Sequence, residues 1–312
     1  MTVFEGIRAE ELEVFAPSKW SSHAFNRQRL ELKLKLAALG KQFLEGPLKR
    51  LALENMLADE RPSIFNGHRA DHLAWFGFRT GSEKNLVESF QRTGVKTGTR
   101  EPYQAELHIH FFAGLDKAGM SCGIRLARTA RVDIENASKL AAETGFAESL
   151  AGIAESAGAS AYIAQDSTSL SELPSSTIAD ALERLEKSQC DALFIGRMLD
   201  ASSMEEMGEH LPDELSAVIS SLLPAYQKLA WSRGNDKLGL VSKSKHRAVQ
   251  AAARLQEGDE VRVLSGLASG RVGVVEQLLK RGQVAVRLGN LVMNFPAESL
   301  EVVSSRAKRK NT

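Results

Sequence analysis

Apolar residues recur at helical or strand spacing through most of the first 230 residues of the chain. Spacings of three and four predict helices, whereas alternation or a short apolar run predicts a strand. The predicted helices are 28–44, 47–57, 134–157, 175–188 and one or two within 204–228. The predicted strands are 72–78, 106–112, 120–126, 159–165 and 191–198. Because helices and strands do not alternate strictly, we expect an α+β domain rather than a doubly wound parallel sheet.

The pattern changes towards the C-terminus, where valines at alternate positions predict three short strands near 261–263, 274–275 and 284–288. A Gly-x3-Gly-x2-Gly spacing separates the first two strands, and a Gly-Asp pair precedes them. Glycines so spaced indicate a tight turn with positive φ, or a close approach of two backbones. The turn glycines are Gly258, Gly266, Gly270 and Gly273.

These strands and glycines resemble the KOW motif, which lies in a small Src-homology-type β-barrel of ribosomal proteins and transcription elongation factors. The resemblance covers about residues 255–303. Arg271 follows the central glycine, where the family often has a basic residue, and Ser269 replaces the lysine frequently found before it. The resemblance implies a small all-β barrel whose glycine loops contact RNA backbone or a protein partner.

The sequence therefore predicts two domains, a connecting segment and a tail. Residues 1–231 form the mixed α+β domain, and 255–304 form the KOW-like β-barrel. Residues 232–254 are polar and basic, which is typical of a linker, and they include a short helix. Residues 305–312 are too polar to pack, and we expect a disordered basic tail.

The net charge of +1 conceals a division along the chain. From Trp231 to Thr312 there are 15 Lys and Arg against 7 Asp and Glu, and residues 1–230 hold the other 25 and 32. Such asymmetry indicates that the basic part contacts a polyanion. The alternatives are that the charge keeps a small domain soluble or docks it on the acidic part.

Basic residues in and around the predicted barrel are the candidate nucleic-acid ligands, because Lys and Arg neutralise phosphates. Within the barrel they are Arg262, Arg271, Lys280, Arg281 and Arg287. In the flanking segments they are Lys243, Lys245, Arg247, Lys308 and Arg309. Phe295 is the one Phe, Tyr or Trp after Trp231, so stacking on single-stranded bases is not expected. Structured RNA or duplex DNA, bound through its backbone, suits these residues better.

A second candidate site lies in the N-terminal domain. If 106–112 is a strand, Glu106, His108 and His110 share one face, because side chains alternate along a strand. Imidazoles and a carboxylate so placed are able to bind a transition metal. The alternative is that Leu107 and Ile109 form the buried face and leave both histidines exposed or hydrogen-bonded.

The remaining features bear on catalysis and location. No Gly-x4-Gly-Lys-[Ser/Thr] or Gly-x-Gly-x-x-Gly phosphate loop occurs, and we expect no cofactor. Two distant cysteines and the lack of an apolar run of membrane-spanning length predict a cytoplasmic protein without membrane contact.

The leading hypothesis is a non-catalytic adaptor. Its barrel would bind structured RNA, duplex DNA or a nucleoprotein complex such as the ribosome or a transcription complex. Its acidic N-terminal domain would bind a protein. One alternative is a metal-dependent nuclease or other hydrolase in the N-terminal domain, targeted by the barrel. Another is a purely protein-interacting module in a regulatory or defence complex.

Overall fold

The chain folds into two compact units, Met1–Leu238 and Gly239–Thr312. The computed structural model describes residues 6–63, 66–91, 103–164, 170–174, 177–264 and 267–304. The boundary between the units falls inside the segment 232–254. Residues 232–238 belong to the first unit, and the helix that follows belongs to the second. In the described residues, no helix is long and apolar enough to cross a membrane.

The first unit contains seven α-helices and seven β-strands among its described residues. The helices are α1 Asn26–Glu45, α2 Gly81–Gln91, α3 Arg131–Ala141, α4 Phe146–Ser156, α5 Ile178–Glu186, α6 Ala201–Met207 and α7 Leu211–Leu229. The strands are β1 Glu54–Leu57, β2 His72–Phe78, β3 His110–Asp116, β4 Gly119–Ala127, β5 Ser160–Ala164, β6 Leu170–Leu173 and β7 Ala192–Asp200.

The seven strands form one sheet in the order β1-β2-β3-β4-β7-β5-β6. Every neighbouring pair is antiparallel, so the sheet is not doubly wound. Strands β3 and β4 form an antiparallel hairpin, with Phe111 opposite Ile124. The chain is thus a mixed helix-and-strand protein with antiparallel sheets.

Both faces of the central strands are buried, which explains their nearly continuous apolar sequences. On one face Leu73, Trp75 and Phe111 join the main core, which also includes the apolar stripes of α1 and α7. On the other face Phe76 and Phe112 belong to a smaller, aromatic-rich cluster. The α1 stripe of Leu32, Leu36, Leu39 and Phe43 has helical spacing, which is why the sequence predicts this helix correctly.

One buried carboxylate connects distant parts of the first unit. Asp133 on α3 is fully buried and accepts hydrogen bonds from the backbone N–H groups of Ile109, at 2.8 Å, and Trp231, at 2.7 Å. It also forms an ion pair with the buried guanidinium of Arg79, which donates to the Trp231 carbonyl oxygen at 2.6 Å. Desolvation lowers the pKa of Arg79, but the attraction of Asp133 outweighs it and the pKa is raised.

The second unit consists of helix α8, Leu240–Ala253, and a five-stranded antiparallel sheet. The strands are β8 Glu260–Val263, β9 Val272–Leu278, β10 Gln283–Leu288, β11 Leu291–Pro296 and β12 Leu300–Ser304. Their order is β11-β10-β9-β8-β12, so the last strand returns to pair with the first. A closed barrel would also require β11 to pair with β12. In the described residues these two are the edges, and no closed barrel is found.

Three predicted elements are wrong. Residues 47–57 are not one helix, because Lys49–Leu51 is a single 3-10 turn and β1 follows it. Residues 134–157 are two helices, α3 and α4, separated by a turn. The strand predicted for 106–112 begins only at His110, because Gln104–Leu107 is a 3-10 turn. In each case short-range apolar spacing predicted a longer regular element than the tertiary contacts allow.

Candidate nucleic-acid interface

Helix α8 carries the densest group of basic side chains in the described structure. One side of the helix faces the core of the second unit, where Ala251 and Ala252 pack against its buried apolar residues. Lys243, Lys245 and Arg247 are exposed. From residue 237 to residue 256 the sequence contains no Asp or Glu, so the helix itself supplies no carboxylate to offset these charges.

A turn from another part of the unit packs against the same helix. Lys280–Gly282 is a 3-10 turn between β9 and β10. A Cβ atom placed on Gly282 would lie 2.7 Å from the Cβ of Ala248, so the turn and α8 are in direct contact. The exposed Lys280 therefore lies in a turn beside the helix that carries Lys243. Lys243 and Arg247, four residues apart, lie on one side of α8, and Lys245, two residues from each, lies on the opposite side. We call Lys243, Lys245, Arg247 and Lys280 together the basic surface.

Arg262 and Arg287 lie elsewhere and have acidic neighbours. Both residues project from the face of the sheet opposite the core of the second unit, because the apolar residues on either side of each are buried. Helix α8 packs on the core side, so the two arginines lie on the other face. Nη1 of Arg262 is 3.4 Å from Oε2 of Glu301, and Nε of Arg287 is 2.9 Å from Oε1 of Glu276. Their charges are thus locally balanced by carboxylates of the same sheet.

Of the remaining predicted basic residues, the structure describes only the side chain of Arg271. Arg271 is exposed and precedes β9, and its backbone N–H donates to the carbonyl oxygen of Ala268 at 3.1 Å. Lys308 and Arg309 lie outside the described residues, as does the side chain of Arg281. The predicted footprint therefore divides into a helix surface, an ion-paired sheet face and one separate arginine.

The turn glycines have two different roles. Gly258 and Gly270 have φ of +90° and +82°, the left-handed region that favours glycine. Gly273 lies inside β9, where an added Cβ would be 2.6 Å from the carbonyl oxygen of Arg287. Both geometries agree with the prediction of positive φ or close backbone approach. Gly266 lies outside the described residues.

Glu106, His108 and His110 do not share a strand face, so the premise of the predicted metal site is wrong. Glu106 lies in a 3-10 turn and accepts a hydrogen bond from the backbone N–H of Tyr103 at 2.9 Å. Both histidines are fully buried, and His110 Nδ1 is 2.9 Å from the carbonyl oxygen of His108. In the described part of the chain no group of three or more His, Cys, Asp or Glu side chains is placed to bind a metal.

The two histidines instead belong to the interior of the first unit. His108 Nε2 is 3.4 Å from a carboxylate oxygen of Glu88, and this contact lowers the pKa of Glu88. His110 packs edge-on against Phe76, with ring centroids 5.3 Å apart. Burial, which deprives an imidazolium of its hydration, and the nearby charge of Arg125 together lower the pKa of His110 to about 4. His110 is therefore neutral at pH 7.

Strand β4 contains one further sequence pattern, similar to a serine-hydrolase motif. Residues 119–123, Gly-Met-Ser-Cys-Gly, fit the Gly-x-Ser-x-Gly spacing of serine hydrolases. That motif requires its serine on a sharp strand-to-helix turn. Here all five residues lie within β4, which pairs on both sides, and Ser121 is opposite Gly114 on β3. Burial also raises the pKa of the Cys122 thiol, so neither side chain is placed as a nucleophile.

The sequence predictions also missed an apolar surface on the second unit. It exposes eleven large apolar side chains: Val249, Leu264, Leu267, Val272, Val274, Leu278, Leu291, Val292, Met293, Val302 and Val303. The signal was present in Leu291-Val292-Met293, where three consecutive apolar residues leave no polar face. Contiguous exposed apolar residues are candidate contacts with other molecules, and Leu291-Val292-Met293 is such a group.

No protein-family model matches this chain, and no curated protein is similar to it. Its function is therefore inferred from the placement and chemistry of its own side chains.

Proposed function

We propose that the second unit binds structured nucleic acid through the basic surface, and that the protein is a non-catalytic adaptor. The observation that supports this most directly is helix α8, which exposes Lys243, Lys245 and Arg247 in a segment without any acidic residue. The neighbouring turn adds Lys280. Lys243 and Arg247, one turn apart on the same side of α8, suit neighbouring phosphates of a double-stranded region.

The ion-paired arginines contribute less to this proposal than their charge suggests. An arginine already beside a carboxylate must give up that contact, or bring the carboxylate's charge near the phosphates. Arg262 and Arg287 are in this position, whereas no carboxylate of the described residues lies within ion-pair distance of Lys243 or Lys245. We also propose that the second unit is a KOW-like domain and that the acidic first unit binds a protein.

The experiment is a fluorescence anisotropy titration of a labelled duplex DNA and a labelled RNA hairpin with the full chain at several salt concentrations. The test variant is Lys243→Gln with Lys245→Gln. The matched control is Arg262→Gln with Arg287→Gln, because it removes the same charge from the ion-paired face. We expect steep salt dependence for the wild type, and a log–log slope smaller by about 1.8 for the test variant. The control should stay close to the wild type.

Equal losses in the two variants would mean that net charge alone drives binding, and the basic surface would be rejected as a site. The same samples, incubated with Mg²⁺, Mn²⁺ or Zn²⁺ and examined for strand cleavage, test the nuclease alternative. We expect the nucleic acid to remain intact.

Protein docking is the second candidate function, and the eleven exposed apolar side chains of the second unit favour it. If the wild type binds neither nucleic acid at low salt, this candidate replaces the first.

A further inference from the structure

The two sheets have four edge strands in the described residues, and they differ in how each edge is protected. Natural proteins place charged residues on edge strands to prevent pairing with other chains. β1 carries Glu54, β6 carries Glu172 and β12 carries Glu301. β11, with the sequence Leu-Val-Met-Asn-Phe-Pro, alone has no charge.

The backbone of β11 has groups available for pairing. Leu288 and Leu291 are directly opposite each other across a two-residue turn, so they form a hydrogen-bonded pair. Hydrogen-bonded and non-hydrogen-bonded pairs alternate along antiparallel strands. Leu291, Met293 and Phe295 therefore bond to β10, and the N–H and C=O groups of Val292 and Asn294 point away from the sheet. Pro296 ends the strand without an N–H group.

The side chains beside this backbone edge are apolar and accessible. Leu291 is 64% exposed, Val292 53% and Met293 41%. Leu291 and Met293 are opposite the buried Leu288 and Val286, so they extend the core face of the sheet beyond its covered part. A strand added at this edge would cover them.

We propose that β11 pairs in antiparallel fashion with β11 of a second copy of this chain, around a two-fold axis at Met293. Val292 of one copy then lies opposite Asn294 of the other, and the two exchange both backbone hydrogen bonds. An isologous contact pairs β11 with an identical strand, so a charge on it would lie within a few residues of the same charge on the other copy and the two would repel. The uncharged sequence of β11 removes this repulsion, and it therefore points to self-pairing rather than to a charged partner strand.

The expected contact is small. Two six-residue strands bury less than the roughly 1,200 Å² that stable protein interfaces begin at. We therefore expect a reversible monomer–dimer equilibrium rather than a permanent dimer. In such a dimer one continuous ten-stranded sheet would join the second units of the two copies, each with its own basic surface. Self-pairing through β11 does not depend on nucleic-acid binding.

The first experiment is sedimentation velocity of the full chain from low to high micromolar concentration, without nucleic acid. The test variants are Val292→Lys, which places a charge on the edge, and Asn294→Pro, which removes one outward N–H. The matched control is Val274→Lys, on the interior strand β9, where the valine is 38% exposed. We expect the wild type and the control to dimerise, and each test variant to weaken the dimer by at least about tenfold, which is about 1.4 kcal/mol.

The second experiment fixes the register by cross-linking. Cys122 and Cys190 are both buried, so Met293→Cys adds the single accessible thiol among the described residues. In the proposed register the two Met293 Cα atoms are about 4.5 Å apart, within the range of a disulfide. The control is Val302→Cys on the other edge strand, where the valine is also 41% exposed. Mild oxidation should give a disulfide-linked dimer of the Met293→Cys variant and much less of the control.

Three results would overturn the proposal: a wild type that stays monomeric throughout, a dimer unaffected by either test variant, or equal cross-linking of both cysteine variants. The substitutions to glutamine that test nucleic-acid binding lie outside β11, and the substitutions that test dimerisation lie outside the basic surface. The two proposals can therefore fail independently of each other.

Discussion

The two units of this protein differ in how completely they cover their apolar residues. The described residues of the first unit expose three large apolar side chains, Leu30, Leu34 and Met198, whereas the much smaller second unit exposes eleven. Small domains have more surface per buried residue, which accounts for part of this difference. It does not account for three consecutive exposed apolar residues on an uncharged edge strand.

The units also differ in how they use charge. The first unit buries an ion pair, Arg79 with Asp133, at the centre of a hydrogen-bond network. The second unit keeps its ion pairs on the surface and leaves α8 without an acidic residue. Electrostatics thus stabilises the interior of the first unit, whereas the second unit has its basic and apolar side chains exposed at the surface.

The largest test of this difference is Asp133→Asn. The change removes the negative charge beside the buried guanidinium of Arg79, and breaking a buried ion pair costs about 3–5 kcal/mol. We expect a loss of this size in urea unfolding. In hydrogen exchange the loss of protection should be confined to the first unit.

The matched control is Asp191→Asn, whose partner Arg128 is 3.1 Å away with both side chains at least 30% exposed. An exposed pair contributes about 1 kcal/mol or less, so this change should have little effect. If Asp133→Asn also removed protection from the second unit, the two units would not be independent, and the comparison would fail.

The next test uses pH. The pKa of His110 is lowered from 6.5 to about 4 in the folded protein, so between these values only the unfolded chain binds the proton. Stability is therefore lost as pH falls through this window, by about 2 kcal/mol between pH 7 and pH 5. Hydrogen exchange at pH 7 and at pH 5 measures the free energy of unfolding of the first unit and so gives this difference.

His110→Phe should remove most of this pH dependence, because a phenyl ring fits beside Phe76 without a titrating group. The control His246→Gln, on the exposed surface of α8, should leave the dependence unchanged. Retained acid sensitivity in the His110→Phe variant would assign the effect to other groups.

The smallest effects are expected from two glycines of the second unit. Gly273→Ala forces a Cβ to within 2.6 Å of the Arg287 carbonyl oxygen, and such overpacking costs about 1–3 kcal/mol. Gly270→Ala meets no atom but places alanine at φ +82°, which costs about 1 kcal/mol. Hydrogen exchange of β9 and β10 should report both losses in this order. The reverse order would mean that positive φ, and not strand packing, limits stability there.

The elements predicted correctly are those whose signal is local. The stripe of α1, the apolar run of β2 and the alternating valines of β8 and β10 each lie within a short segment, so neighbouring residues suffice to predict them. The strands β1 and β6 were missed, because four-residue edge strands carry too few side chains to show a period.

The candidate site was predicted only in part, because some of its properties are local in sequence and others depend on strand pairing. The basic residues Lys243, Lys245 and Arg247 belong to one short segment, and the sequence of that segment already contains no Asp or Glu. That Arg262 is beside Glu301, 39 residues away, depends on the pairing of β8 with β12.

Composition and local period thus decided many of the longer helices and strands and where the positive charge is concentrated. Tertiary structure decided which charges are balanced and that His108 and His110 are buried. It also decided that β11 is an edge strand of the sheet that the structure describes. These properties depend on contacts between residues far apart in the chain, and the free energy of such contacts is set by three-dimensional packing and burial rather than by sequence neighbours.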